Sequence, residues 1–278
     1  MRYFDAHTHV NFSAYNEDRA EVIARAKEAE IGMNVVGTQF DTSRSAVELA
    51  EKYENVWATV GLHPIHTTRS YHDEKELGPS FAEVSEGKEG FVSRGEQFDI
   101  LNYETLARKS KKVIAIGECG LDYCRVDKGT KEVQVQAFVE QIELANRLQK
   151  PLMLHIRDAY DDALEIVRTH ATVQGDVHFF AGDWGVAKQF LELGFTLSFT
   201  GVITFTQEYD EVIRSTPLDM LLTETDAPYV TPVPHRGKRN EPSYVSLVVR
   251  RMAQIKGVEE EEMRSRAIDT AARVFSIA

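Results

Sequence analysis

The 278-residue chain, 42% apolar and 27% charged, carries ample core material and does not have a disordered composition. Its net charge of −12 argues against a broad non-specific nucleic-acid surface. No apolar stretch approaches the ~18 residues of a membrane span, so no membrane partner is expected. The two cysteines, Cys119 and Cys124, offer no disulfide framework, and a reducing cytoplasm is the expected location.

The chain opens on Asp5-Ala6-His7-Thr8-His9. Strand alternation would put Asp5, His7 and His9 on one face and Phe4, Ala6, Thr8 and Val10 on the other, so one face can coordinate while the other buries. With a metal motif starting this early, no signal peptide is expected. Residues 16–31 read as a helix with Gly32 as its stop, 34–37 as a short apolar run, and 43–53 as a second helix. Residues 56–61 form a third strand running into His63-Pro64-Ile65-His66. Such alternation implies a parallel sheet covered by helices, because parallel neighbours need crossovers.

Residues 67–107 break the rhythm. The segment is polar, has several glycines and is too long for an ordinary connection, although 98–109 reads as a returning helix. The 67–97 stretch is expected to be an insertion, forming either a lid over the working face or a peripheral decoration. Strands are then expected at 113–118, 151–157, 176–179, 195–199 and 218–226. Helices are expected between them at 130–149, 160–170, 184–193 and 206–215, and at the end at 243–256 and 259–275. The expected fold is an α/β (β/α)8 TIM-type barrel, with residues 1–278 as one domain.

His7, His9, Glu118, His155, His178 and Asp226 all fall at C-terminal ends of expected strands, the face where barrel enzymes keep their sites. One histidine after an apolar run is usually a satisfied core residue. Six such groups at equivalent strand ends would be a costly buried cluster unless they hold metal. His63 and His66 are candidate substrate contacts. Arg157 either grips an anion or pairs with Asp158 or Glu165. Glu224 either orients a water or braces a ligating histidine, and Asp5 is expected to stand behind the ligands. The basic stretch 235–239 either holds phosphate at the mouth or is a solvated loop.

The motifs DAHTH, GLHP, IGECGLDY, LHIRDA, TGVITF and LLTETDAPYVTP followed by RGKRNEPSYV resemble, in order, the TatD family of metal-dependent deoxyribonucleases. The resemblance implies an amidohydrolase-like barrel with one or two divalent metal ions (Zn, Mn or Mg) that hydrolyses phosphodiester bonds in DNA. By the matching positions His7 and His9 would hold one metal, joined by Asp226, and His155 and His178 the other, with Glu118 bridging. Two departures stand out: Phe179 and Ala181 occupy positions where the family usually has Cys and Ser, and the 67–97 insertion is long.

The expected activity is an exonuclease-like deoxyribonuclease using a metal-activated hydroxide. Asp226 and Glu224 would be the catalytic carboxylates; His63, His66 and Arg157 would bind the substrate, which is DNA or another phosphodiester. A monomer is expected. One alternative keeps the metal but cleaves an ester or amide, as a D-aminoacyl-tRNA deacylase does. The other is a non-catalytic binding protein.

Overall fold

The computed structural model describes residues 1–68, 95–124 and 130–277. The expected 67–97 insertion therefore lies almost wholly outside the described residues. Within them the chain runs β1 (Tyr3–Thr8), α1 (Arg19–Glu28), β2 (Ile31–Val36), α2 (Phe40–Lys52), β3 (Val56–Val60) and α3 (Ile100–Lys109). It continues through β4 (Val113–Asp122), α4 (Lys131–Leu148), β5 (Leu152–Arg157), α5 (Tyr160–His170), β6 (Gly175–Val177) and α6 (Trp184–Glu192). The last elements are β7 (Thr196–Phe199), α7 (Asp210–Ser215), β8 (Leu221–Thr223), α8 (Val245–Lys256) and α9 (Glu260–Phe275).

The eight strands lie in sequence order, and every neighbouring pair is parallel. The ring closes where the chain leaves β8: the Asp226 N–H donates to His7 O at 2.9 Å and the His9 N–H to Ala227 O at 2.7 Å. This is the expected TIM-type barrel. Covered on both faces, strands such as β2 and β4 are buried at every position. The helices turn one apolar stripe to the sheet. In α8, Val245, Val248, Val249 and Met252 recur at intervals of three and four and are buried. Asp99 caps α3 through the Leu101 and Asn102 amides, and Asp183 caps α6 through the Val186 amide.

Several boundaries move. The first helix runs Arg19–Glu28 instead of 16–31, and Gly32 sits inside β2, where a Cβ would strike Met1 and Trp57. Its role is close packing, and the chain turns instead at Glu30, with φ 58°. Residues Leu218–Met220 form a 3-10 turn, and β8 is only Leu221–Thr223. His178 and Asp226 consequently sit just beyond their strands, on turns where Phe179 and Asp226 take φ of 44° and 52°.

Candidate metal centre

Glu118 occupies the middle of the site because β4 carries glycines on either side of it. Gly117 (φ 148°) and Gly120 (φ 140°) bring the β4 backbone so close to β5 that a Cβ would collide with the carbonyls of Met153 and His155. The β4–β5 register shifts between Ile116 and Cys119 as a result. The Glu118 carboxylate thereby gains a different set of neighbours at each oxygen.

Around Oε2 lie His7 Nε2 at 3.3 Å and His9 Nε2 at 3.7 Å. The two imidazole nitrogens are 3.1 Å apart, and Asp226 Oδ1 is 3.4 Å from His9 Nε2 and 4.0 Å from His7 Nε2. Around Oε1 lie His178 Nε2 at 2.9 Å and His155 Nδ1 at 3.0 Å, themselves 3.3 Å apart. Hydrogen bonds on the far side of the rings set the tautomers. His9 Nδ1 faces Val36 O at 3.0 Å, and a carbonyl only accepts, so the proton is on Nδ1 and Nε2 carries a lone pair. His155 Nε2 faces the Asp122 carboxylate at 3.2 Å, which leaves the lone pair on Nδ1. Both lone pairs point into the cluster.

A cation fits this arrangement. Glu118 is 2% exposed, yet Oε2 has no hydrogen-bond partner among the described residues, a cost that metal ligation would remove. Ligand atoms about 2.0–2.1 Å from a tetrahedral ion would stand about 3.3 Å apart, close to the spacings found. Nitrogen and carboxylate donors without thiolate suit Zn, Mn or Mg. Burial opposes ionisation of Glu118, but the surrounding histidines, His178 foremost, outweigh it and hold the carboxyl well below its usual range.

His63 stands against the same carboxylate, Nε2 to Oε1 at 3.3 Å, but its Nδ1 accepts the Ile65 amide at 3.1 Å. The proton is therefore on Nε2, so His63 is built to donate a hydrogen bond. Burial, reinforced by His155, pushes its pKa down to about 4 and keeps it neutral. Arg157 pairs with neither Asp158 nor Glu165: Nη2 and Nε grip Asp122 at 2.6 and 3.1 Å, leaving Nη1 for the pocket that Arg157 helps to line.

Three of the expected site residues do not line that pocket: His7, fully buried within the cluster, His66 and Glu224. His66 is buried behind His63, its ring centroid 6.1 Å away, and is not part of the lining. Glu224 is fully buried and cannot touch a water in the pocket; it accepts the Phe179 amide and the Ser198 hydroxyl, both at 2.7 Å, and sits 3.4 Å from His178 Nδ1. It stands behind His178, on the side of the ring away from Glu118. Asp5 accepts the amide and hydroxyl of Thr225 at 2.8 and 2.6 Å, so it ties β1 to the turn carrying Asp226.

Asp122 received no role from the sequence. It is 1% exposed, bonds both His155 and Arg157, and pairs in register with Arg157 across β4–β5. Its hydrogen bonds from His155 and Arg157 overcome burial and hold its carboxyl well below the usual range. Its signal was legible: Asp122 lies four residues beyond Glu118, on the same strand face, once β4 is allowed to run that far.

The pocket above the cluster encloses about 360 Å³, with Phe12, Ile65, Phe179, Tyr209 and Tyr229 among its walls. Phe179 and Ala181 both line it, so both replaced positions of the strand-six motif face the pocket. Among the described residues no helix is long and apolar enough to cross a membrane.

The family model described as TatD related DNase matches residues 4–276. The chain is 36% identical over 283 residues to the uncharacterized metal-dependent hydrolase YabD of Bacillus subtilis, covering 99% of both. It is 32% identical over 284 residues to the 3'-5' ssDNA/RNA exonuclease TatD of Klebsiella pneumoniae, covering 99% of this chain and 98% of the relative. Among solved structures it resembles YJJV, a TatD homolog from Escherichia coli, with TM-score 0.82, 27% identity, and coverage of 100% of this chain and 99% of the other.

Proposed function

Because the chain belongs to the TatD family of metal-dependent hydrolases, we propose that it hydrolyses phosphodiester bonds in single-stranded DNA, working from an end of the strand. The observation that carries this reading is Glu118, which presents one oxygen to each of two donor sets on the floor of a pocket walled by Arg157 and His63. His7, His9 and Asp226 would hold one cation and His155 and His178 a second, with Glu118 shared. Divalent cations bound there would lower the pKa of water toward neutrality and polarise phosphoryl oxygens.

The protein's own groups do the remaining work. Asp226, at the pocket surface, takes the proton of the attacking water. Arg157 Nη1 and the His63 Nε2–H donate to the phosphate oxygens as negative charge builds on them, and their fixed positions spare reorganisation. Asp122 holds His155 and Arg157 in place, and Glu224 does the same for His178.

Purified, metal-replete protein should shorten an end-labelled single-stranded oligonucleotide, and an Asp226→Ala variant should not. Intact DNA and intact simple phosphodiesters with both proteins would refute the proposal. Turnover of an aminoacyl ester under the same conditions would assign the site to ester or amide hydrolysis instead. The relative from Klebsiella, named as acting on ssDNA and RNA, supports testing both strands in parallel.

A further inference from the structure

The basic stretch at 235–239 has no part in the chemistry above, yet the structure gives it a definite form. The loops after β7 and β8 are locked together: the Val233 amide donates to Thr204 Oγ1 at 2.9 Å, and a Cβ on Gly201 would strike the backbone of Val230 and Pro232. On this joined platform the Arg236 guanidinium lies 3.9 Å above the Phe205 ring, anchored by Nη1 to Thr231 O at 3.1 Å. Phe205 nevertheless remains 43% exposed, and Tyr229 on the same loops is 36% exposed and also lines the pocket.

Three observations show what this surface suits. A guanidinium stacked on a ring keeps its N–H edge available in a fixed orientation, which matches the oxygens of a phosphate. In a chain of net charge −12, residues 227–240 hold Arg236, Lys238 and Arg239 and no carboxylate. Among the described residues, Asp18 pairs Arg239, and Arg236 and Lys238 have no carboxylate partner. Finally, Tyr229 connects the platform to the metal centre, its ring centroid 6.5 Å from that of His9. An exposed aromatic, a flat cation and a second aromatic leading into the pocket form a stacking and phosphate-binding track.

We propose that Phe205 and Arg236, with Tyr229 as the link to the pocket, form a secondary subsite for single-stranded nucleic acid, holding the nucleotide next to the one being cleaved. Arg236 takes the backbone phosphate, and the neighbouring base stacks on the exposed aromatic surface. The proposal rests on the nuclease reading of the metal centre and adds the path of the strand. It also answers the charge problem, because a strongly acidic chain needs a local positive track to receive a polyanion.

The test compares an oligonucleotide of single-stranded DNA with bis(p-nitrophenyl) phosphate, a diester that has no second nucleotide to place. Arg236→Gln and Phe205→Ala should each raise KM for the oligonucleotide roughly 5- to 100-fold, the range of one lost base or phosphate contact. Neither residue lines the pocket, so turnover of the small diester should stay at the wild-type level. Arg236→Gln should also flatten the plot of log KM against log salt by about 0.7, one single-strand phosphate contact. Arg236→Lys should keep the slope and lose affinity, since the charge remains without the planar stack.

Binding is measured separately by fluorescence anisotropy of the labelled oligonucleotide on an Asp226→Asn background, where nothing need be cut. If wild-type protein cleaves DNA and the Arg236 and Phe205 variants match it in KM and salt slope, the subsite is refuted and the nuclease reading stands. If no DNA is cleaved but binding still depends on Arg236 and Phe205, the nuclease reading fails and the subsite holds. If neither cleavage nor Arg236-dependent binding is seen, both fail.

Discussion

Replacing Asp122 by Asn is a sharp test of how this centre is assembled. The carboxylate accepts from His155 Nε2 at 3.2 Å, from Arg157 at 2.6 and 3.1 Å, and from the Cys124 amide at 3.0 Å. An asparagine can still accept from Cys124 and Arg157 Nε with its one oxygen, but it turns an NH2 group toward His155 and Arg157 Nη2. Donor then faces donor. The simplest relief is for His155 to move its proton from Nε2 to Nδ1, the atom directed at Glu118 and His178. That nitrogen can then no longer offer a lone pair to a cation.

Partners of this kind are worth about 10- to 100-fold in metal affinity or activity. The cost to folding should be much smaller. The Arg157 side chain is 47% exposed and can return to water, so the lost pair is worth at most about 1 kcal/mol. In a chain of this size that amounts to about 2–4 °C in Tm. Competition for Zn2+ or Mn2+ against a chromophoric chelator measures the affinity, and thermal melts with and without metal measure the coupling. Metal should raise Tm less in the variant than in the wild type. Wild-type affinity in Asp122→Asn would refute the tautomer argument, because among the described residues no other group fixes His155 Nε2 as a donor. A metal-free Tm lower by 10 °C or more, far above the estimate of about 2–4 °C, would show that the carboxylate is mainly structural.

Other expectations follow from the same geometry. Glu118→Gln removes the charge shared by the two donor sets and should lower the metal content per chain in elemental analysis, with activity lost alongside. Arg157→Ala should cost about 10²- to 10³-fold in kcat on a phosphodiester, the usual price of one donor to a charged transition state, and a change confined to KM would contradict its role. Gly117→Ala places a side chain at φ 148° against Met153 O; it should destabilise the fold by at least about 1–3 kcal/mol, read as a lower urea midpoint. Glu96 accepts Tyr103 OH at 2.7 Å and the Phe40 amide at 3.1 Å, and burial raises its pKa. Its contribution to stability is therefore fully present below the ordinary carboxylate range and is lost as pH rises through the raised value. Glu96→Gln should flatten that fall, so urea midpoints at pH 5 and pH 8 should lie closer together than in the wild type.

Alternation of strands and helices was readable in the sequence because it depends on local periodicity, and it sufficed for the barrel. The six candidate ligands were readable too, since a barrel places the C-terminal ends of all its strands on one face. His7 and His9 share a face because strand geometry makes every second residue do so. Tertiary structure alone decided the rest. It set the two oxygens of Glu118 toward different histidine pairs through glycines that pack β4 against β5, a contact between segments far apart in sequence. It moved Glu224 out of reach of the pocket and gave Asp122 its part, because the direction of a side chain at a strand end depends on where the ladder stops and the turn begins. It also showed a platform in the basic stretch, where Arg236 meets Phe205 only because two loops are bonded to each other. Periodicity fixes which face a residue occupies; hydrogen bonds and close packing between distant segments fix which atom it presents there.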